Sequence, residues 1–161
     1  MGPIPWGGSN SRQDVADRGN RRIQVFDGQG KPLRQITIDV PYDRNARPAI
    51  GNRIDVDKLE ASGGPLTMAP GSPWTLCIPP GPRQVLYASD AFPGRVYKMT
   101  LDGQVVGWFG KNGRLPKEFG WIHELDCRSE NEILAGELLN WRMSKITLHP
   151  DKTTTSASAR H

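Results

Sequence analysis

The feature that most constrains this chain is an internal repeat. A shift of 47 residues superimposes two stretches without a gap, and it pairs Trp74 with Trp121, Ala88 with Ala135, Asp90 with Glu137, Arg95 with Arg142 and Lys98 with Lys145. A shift of 73 residues then places Asp17 on Asp90 and Arg22 on Arg95. An acidic residue followed five positions later by an arginine therefore occurs three times. The excess of 26 residues in the second shift indicates one insertion.

The repeat length and the composition predict an all-β fold. Periods of about 40 to 50 residues with strand-like content are typical of β-propeller blades, four-stranded units that bury their faces only against their neighbours. The chain has 18 Gly and 14 Pro in 161 residues and no long amphipathic helical pattern. No apolar run approaches the roughly 18 residues of a membrane span. The net charge of +4 is of mixed sign, so it permits a nucleic-acid partner without favouring one.

The turn residues and alternation predict about ten strands, or two and a half blades. The middle repeat has four, over residues 74–78, 83–89, 95–101 and 104–109. The first repeat lacks the first strand and has 14–16, 22–27 and 33–39, whereas the third lacks the last strand and has 121–125, 132–136 and 142–148. We divide the chain into a disordered stretch (1–13), a partial blade (14–39), an inserted loop (40–71), a full blade (72–110), a partial last blade (119–150) and a disordered tail (151–161).

Two and a half blades cannot close a ring, because closed propellers have about 4 to 8. We therefore expect the chain to be a fragment of something larger. Further blades would lie upstream, together with an export signal that the start MGPIPWGGSN does not contain. Alternatively, a homodimer could close the ring, with the unpaired edges of the first and third repeats completing each other.

The two cysteines are expected to be free. Two are too few for a disulfide scaffold. In the repeat register Cys77 pairs with Glu124, and Cys127 pairs with Pro80, so the cysteines do not occupy equivalent positions.

One end of the blades is predicted to carry the binding residues. In a four-stranded meander, the loops between second and third strands lie at the same end as the connections between blades. That end holds residues 17–22, 90–95 and 137–142 and the insertion, and loops on a rigid scaffold often form binding sites. Our candidates for a ligand-binding face are Arg22, Arg95, Arg142, Trp74 and Trp121. The structural alternative is that the acid and arginine pairs clamp their own loops while the tryptophans fill wedges between blades.

The insertion over residues 40–71 is long for a compact domain, and such loops are usually functional or disordered. Its charges cancel, and residues 55–61 could form one short helical turn. It also contains apolar residues that could dock onto the blades, namely Tyr42, Ile50, Ile54, Val56 and Leu59. We expect a lid packed over the mouth of the channel, with a mobile linker as the alternative.

The chain resembles the NHL repeat family. The stretch from Val15 to Phe26 resembles the core of an NHL repeat, and residues 38–48, 63–77 and 119–150 are similar to bacterial NHL propellers related to the peptidyl-α-hydroxyglycine α-amidating lyases. The resemblance covers about residues 14–150 and implies a six-bladed ring. For the lyases it also implies a zinc site of histidines at the channel mouth. It implies an extracellular or periplasmic location if a signal is missing upstream, and otherwise a cytoplasmic one.

Two functions follow as hypotheses. The first is a binding module that presents its loops to a peptide, a protein or a small ligand. The alternative is an enzyme, a zinc-dependent carbon-nitrogen lyase that releases peptide amide and glyoxylate, with His123 as a zinc ligand. His149 and His161 do not occupy repeat positions equivalent to His123, so three ligands cannot come from this chain alone. A purely structural fragment without activity is the third possibility.

Overall fold

The computed structural model describes residues 11–82 and 84–148, in which ten strands form three antiparallel sheets. The first sheet contains β1 (Gln13–Asp17), β2 (Arg22–Phe26) and β3 (Pro32–Ile36). The middle sheet contains β4 (Pro73–Cys77), β5 (Leu86–Asp90), β6 (Val96–Met99) and β7 (Val105–Phe109). The third sheet contains β8 (Ile122–Ser129), β9 (Glu132–Glu137) and β10 (Arg142–Thr147). Each sheet is a meander in which chain neighbours pair.

These sheets confirm the predicted all-β propeller fragment of about two and a half blades. All ten strands overlap the predicted ranges. Among the described residues the first sheet lacks an inner strand and the third lacks an outer one. The second strand of the middle blade begins at Leu86, which is later than predicted.

The predicted disordered ends fall largely outside the described residues, as do Arg83, His149 and His161. The last residue of the stretch predicted to be disordered, 1–13, is structured, because β1 begins at Gln13. Beside it, the Arg12 guanidinium donates to the Asp14 carboxylate at 2.6 Å and 2.7 Å.

The core consists of two apolar layers, one on each face of the middle sheet. Every residue of β5 is buried. Leu86 and Ala88 pack with residues of the first sheet, whereas Tyr87 packs with residues of the third. Because successive side chains of a strand point to opposite faces, one strand supplies both layers. The partners in the first sheet include Ile23, Val25 and Ile36, and those in the third include Leu125, Ile133 and Ala135.

The prediction of two free cysteines is wrong, because Cys77 and Cys127 form a disulfide with a Cα–Cα distance of 5.9 Å. They lie on β4 and β8, the neighbouring inner strands of adjacent sheets. β8 continues to Ser129, beyond its predicted end at residue 125. Cys127 therefore lies on the strand that packs against β4. A disulfide requires this spatial proximity and not equivalent repeat positions.

The insertion contains helix α1 (Val56–Ala61), as predicted. The Asp55 side chain caps it by accepting a hydrogen bond from the Lys58 backbone N–H at 3.1 Å. The insertion packs against the loop end of the sheets. Val56 is buried, and the Leu66 N–H donates to the Gly19 carbonyl at 2.9 Å. Within the described ranges, no helix has the length and apolar character needed to cross a membrane.

Candidate ligand-binding site

The loop face, which we define as the β1–β2, β5–β6 and β9–β10 loops with the connections between the sheets, is held together by three carboxylates. Asp17 forms an ion pair with Arg22 at 2.8 Å, and Glu137 forms one with Arg142 at 2.6 Å. Asp90 differs, because it accepts backbone N–H groups from Gly94 and Arg95 at 3.0 Å and 2.9 Å. Two of the three repeated arginines therefore clamp their own loops, as the structural alternative predicts.

Each of these carboxylates has a further donor seven residues along the chain. Gln24 Nε2 donates to Asp17 at 2.8 Å, Tyr97 Oη donates to Asp90 at 2.5 Å, and Ser144 Oγ donates to Glu137 at 2.8 Å. Sequence reasoning missed this donor, because its residue type differs in every blade. The signal that could have found it is the constant offset from the acidic residue.

The second and third carboxylates also bind the preceding connection between sheets. The Gly71 N–H donates to Asp90 Oδ2 at 3.1 Å, and the Gly120 N–H donates to Glu137 Oε2 at 2.8 Å. These bonds confirm the prediction that the loops and the connections between sheets lie at the same end of the blades.

The environments of the three carboxylates shift their pKa values differently. The hydrogen bond from Arg22 lowers the pKa of Asp17. Burial acts to raise the pKa of Glu137, but hydrogen bonds from Arg142, Gly120 and other donors outweigh it and leave the pKa lowered. Burial raises the pKa of Asp90, and its four hydrogen-bond donors act against burial. The Glu137 side chain is fully buried, yet its hydrogen bonds favour the charged form of the carboxylate.

The Arg95 guanidinium forms no ion pair with Asp90 in the described structure and binds the insertion instead. Its guanidinium donates to the Pro41 carbonyl at 2.7 Å and lies over the Trp108 ring, 3.9 Å from the ring centroid. The whole residue is only 8% exposed. Arg95 thus anchors the start of the insertion to the outer strand of the middle blade.

The equivalent tryptophans of the second and third blades contact each other. Their rings are 4.6 Å apart between centroids at an angle of 81°, in an edge-to-face arrangement. Arg18 stacks on Trp74 at 4.1 Å, and the His123 ring lies 5.9 Å from it. The tryptophans therefore fill the space between two blades, and they also place aromatic surface at the loop face.

Only one of these two tryptophans has a partner for its indole N–H. Trp74 Nε1 donates to the Thr67 carbonyl of the insertion at 2.8 Å. Trp121 Nε1 is buried and has no hydrogen-bond partner among the described residues. Trp121 also has a φ of 60°, in the left-handed region that bulky residues rarely adopt. Asn112 Nδ2 is a second buried donor without a partner in the described part of the chain.

Both unpartnered donors belong to residues that line one cavity of about 220 Å³. The insertion forms one wall of the cavity, and the loops of the middle and third blades form the other. The apolar wall residues include Ile50, Ile54, Met68, Ala91 and Leu139. The two donor nitrogens themselves have almost no accessible surface, so the cavity is defined by its apolar walls. Of the predicted face residues, only Trp121 lines this cavity.

A second cleft of about 360 Å³ shares Ile50 and Leu139 with this cavity. It is also lined by Arg114, Asn140 and Arg142. The Arg142 guanidinium is occupied, because it donates to the Arg114 and Glu118 carbonyls as well as to Glu137. The Arg114 side chain is exposed, and it forms no ion pair within the described residues. The cleft therefore offers one available cation next to the apolar cavity.

The described residues do not provide a zinc site around His123. His123 is exposed near the start of β8, as predicted. A register shift between Ile122 and Glu124 accompanies the exposure of both His123 and Glu124 in one cleft. No group of three or more His, Cys, Asp or Glu side chains converges in the described part of the chain. A zinc ion usually takes at least three protein ligands, so these residues do not fit it.

The fold and the site together define a class: a β-propeller fragment whose loop face is covered by an inserted lid with a small apolar cavity beneath it. In comparisons with known proteins, neither a protein-family profile nor a curated protein matches the chain.

Proposed function

We propose that this chain is a binding module, an NHL-type propeller fragment whose loop face takes up a peptide, a protein segment or a small ligand. One observation carries the proposal. The lid and two loops form a cavity of about 220 Å³ whose walls include the apolar residues Ile50, Ile54, Met68 and Leu139. Burial of apolar surface contributes about 25 cal/mol per Å² removed from water, so a ligand with an apolar group that fills the cavity would gain free energy there.

The surrounding geometry supports binding more than catalysis. The carboxylates of the loop face accept hydrogen bonds from their own loops and from the preceding connections between sheets. Arg22 and Arg142 are engaged with those carboxylates, which leaves apolar and aromatic surface as the main contact area. The lyase alternative gains no support from the described residues, because the side chains around His123 do not fit zinc.

The proposal can be tested by selecting binders from a random peptide library displayed on phage. Enriched peptides are expected to bind the wild-type chain and to lose at least tenfold in affinity for Ala91→Phe, which places a ring in the cavity. Val106→Phe is the matched control, because Val106 is 55% exposed on the outer strand β7. Peptides that bind both variants equally, or no enrichment at all, would contradict the proposal.

A second copy of the chain is the partner that we propose for the two outer sheets. The first sheet exposes Val15 and Leu33, and the third exposes Met143, whereas β5 in the middle is covered on both faces. Head-to-tail packing of the first sheet on the third would cover these residues and would generate a symmetric ring. Light scattering after size exclusion should give a dimer mass for the wild type and a monomer mass for Met143→Lys. A wild-type monomer would refute this partner.

A further inference from the structure

We infer that the edge of β10 that faces away from β9 binds an extended segment of another polypeptide, which adds to the third sheet as its fourth strand. The inference goes beyond the proposed function, because this edge is the outer side of the third blade and not the loop face. Three observations support it: the incomplete sheet, the direction of the β10 backbone groups and a cleft beside the edge.

The middle sheet shows which strand the third sheet lacks. The repeat shift of 47 residues places β6 on β10. β6 pairs with β5 on one side and with β7 on the other, whereas β10 pairs only with β9 among the described residues. β7 is therefore a template for a strand that β10 can accept.

The backbone of β10 presents hydrogen-bonding groups at this edge. The Leu148 N–H donates to the Asn131 carbonyl at 2.9 Å, on the β9 side of the strand. Residues of an antiparallel pair alternate between those that bond to the partner strand and those that do not, and the register of β9 with β10 is unbroken. The N–H groups of Met143, Lys145 and Thr147 therefore point away from β9. Addition of an extended peptide to an exposed sheet edge is a common mode of peptide recognition.

A cleft of about 480 Å³ lies beside the edge. The consecutive residues 145–148 line one side of it, so the cleft follows the strand. The end of β7 and the connection to β8 line the other side. An added strand would cover apolar surface here, which the hydrophobic effect favours. The apolar wall residues are Phe109, Phe119, Ile146 and Leu148.

β7 also indicates which side chains the segment carries. It places the aliphatic Val105 opposite Met99 and the aromatic Trp108 opposite Tyr97. The residue of β10 equivalent to Met99 is Ile146, which lines the cleft. We therefore assign to the segment an aliphatic residue opposite Ile146 and an aromatic residue three positions further along.

The residues that follow β10 in the sequence do not have this character. The repeat shift places residues 152–156, Lys-Thr-Thr-Thr-Ser, at the position of β7, and none of them is apolar. Lys117 and Lys145 also line the cleft, and within the described ranges only Lys145 has an acidic partner, Glu132 at 3.0 Å. An acidic residue in the segment suits the unpaired lysine, so we assign the partner strand to a different chain.

The test adds a fluorescein-labelled peptide with the sequence of residues 102–110 to the full chain and follows its fluorescence anisotropy. We expect saturable binding. Gly107 pairs with Lys98 in the middle sheet, so the peptide with Gly107→Pro lacks a backbone N–H of the ladder and should bind at least tenfold more weakly. The peptide with Gln104→Glu should bind more tightly than the one with Gln104→Lys. No saturable binding, or equal binding of the proline peptide, would overturn the inference.

Lys145→Pro is the decisive variant of the protein, because it removes an N–H of the exposed edge and leaves the bonds to β9 in place. The dissociation constant of the peptide should rise at least tenfold. Lys145→Thr is the matched control, since it removes the same charge and keeps the N–H, and it should bind the peptide nearly as tightly as the wild type. Circular dichroism verifies that the strands persist in both variants. Equal affinities of the two would contradict strand addition.

Amide hydrogen exchange followed by NMR distinguishes the peptide from other occupants of the edge. The peptide should slow exchange at Met143, Lys145 and Thr147. Slow exchange there without peptide would assign the edge to residues 152–156, or to a second copy if it depends on protein concentration, and either result would overturn the inference.

Ala91→Phe separates this edge from the lid cavity, which Ala91 lines. The peptide should bind this variant as tightly as it binds the wild type, so the inference and the proposed function can fail independently. Loss of binding in Ala91→Phe would place the peptide in the lid cavity and would overturn the inference.

Discussion

At the scale of single residues, the loop face depends on one unusual backbone position that all three blades share. The residue before the repeated arginine has a positive φ in each case: 54° at Arg21, 78° at Gly94 and 52° at Trp141. Glycine adopts this left-handed region without the steric cost that other residues have. Only the middle blade uses glycine there, although the other two need the same conformation.

Gly94→Ala is expected to lower the free energy of unfolding by about 2 kcal/mol or more, because of backbone strain and crowding. An added Cβ would lie 2.6 Å from Asn112 Oδ1 and 2.8 Å from the Asn112 backbone nitrogen. Trp141→Gly is the matched variant, because it introduces a glycine at the equivalent position of the third blade. Trp141 is 92% exposed, so removing its side chain relieves strain and sacrifices little packing. Urea denaturation of both variants checks this, and an equal loss of stability in the two would contradict it.

A pH-dependent contribution to stability is expected from Glu137. Its pKa in the folded chain is lowered from 4.5, so the folded state binds protons less readily than the unfolded state does. The stabilisation is therefore present above about pH 4.5 and is lost as the pH falls through the lower folded pKa. Glu137→Gln should be clearly less stable than the wild type at pH 7, and the difference should shrink below pH 4.

Urea midpoints measured from pH 7 to pH 3 would show this convergence. The control is Glu132→Gln, whose carboxylate is partly exposed and pairs with Lys145 at 3.0 Å. Exposed ion pairs contribute about 0 to 1 kcal/mol, so that variant should follow the wild type closely at every pH. A wild-type advantage over Glu137→Gln that persists undiminished at pH 3 would show that charge is not the cause.

At the scale of elements, the insertion is held by side chains of the blades more than by its own structure. Its single helix has six residues, and its ends are tied down by Arg95, which binds the Pro41 carbonyl, and by Arg21, which binds the Pro70 carbonyl at 2.7 Å. Trp74 holds the segment near Thr67. Loops with few buried apolar contacts open at low free-energy cost, so we expect these tethers to hold the insertion against the blades.

Arg95→Ala should therefore open the insertion without unfolding the blades. Tryptic cleavage after Arg44 and Arg53, both within the insertion, is expected to become at least severalfold faster than in the wild type. Mass spectrometry of timed digests identifies the cleavage sites, and circular dichroism verifies that the strands persist. Arg34→Ala is the control, since Arg34 pairs with Asp102 on the opposite end of the sheets. Equal rates for the two variants would mean that Arg95 does not hold the insertion.

At the scale of the whole molecule, the Cys77–Cys127 disulfide connects the inner strands of two adjacent blades. Repeat units of this kind otherwise hold together only through their packed faces. Disulfides persist in oxidising compartments, so this bond favours the extracellular or periplasmic alternative over the cytoplasmic one.

Replacing both cysteines by alanine should lower the free energy of unfolding by about 4 kcal/mol, because the bond closes a loop with a sequence separation of 50 in the unfolded chain. Urea denaturation with and without dithiothreitol measures the effect. The reductant should destabilise the wild type and leave the double variant unchanged. Two reactive thiols in the native, unreduced protein would contradict the assigned bond.

The sequence by itself determined the blades. Strand alternation, turn residues and the acid-to-arginine spacing are local patterns that repeat, so they located ten strands, the incomplete outer blades and the loop face around Asp90 and Glu137. The clamp between Glu137 and Arg142 also follows from that spacing. These features depend on residues close together in the chain or related by the repeat period.

Only the tertiary structure decided the features that break the repeat. Trp74 and Trp121 are equivalent in sequence, yet one indole donates to Thr67 and the other has no partner in the described chain. Cys77 and Cys127 are not equivalent, yet they are bonded. The lid cavity brings together Ile50, Ala91, Asn112 and Leu139 from four separate segments. The packing of the insertion against the blades produces the cavity and the Thr67 bond, and the packing of β4 against β8 produces the disulfide. No local pattern specifies either packing.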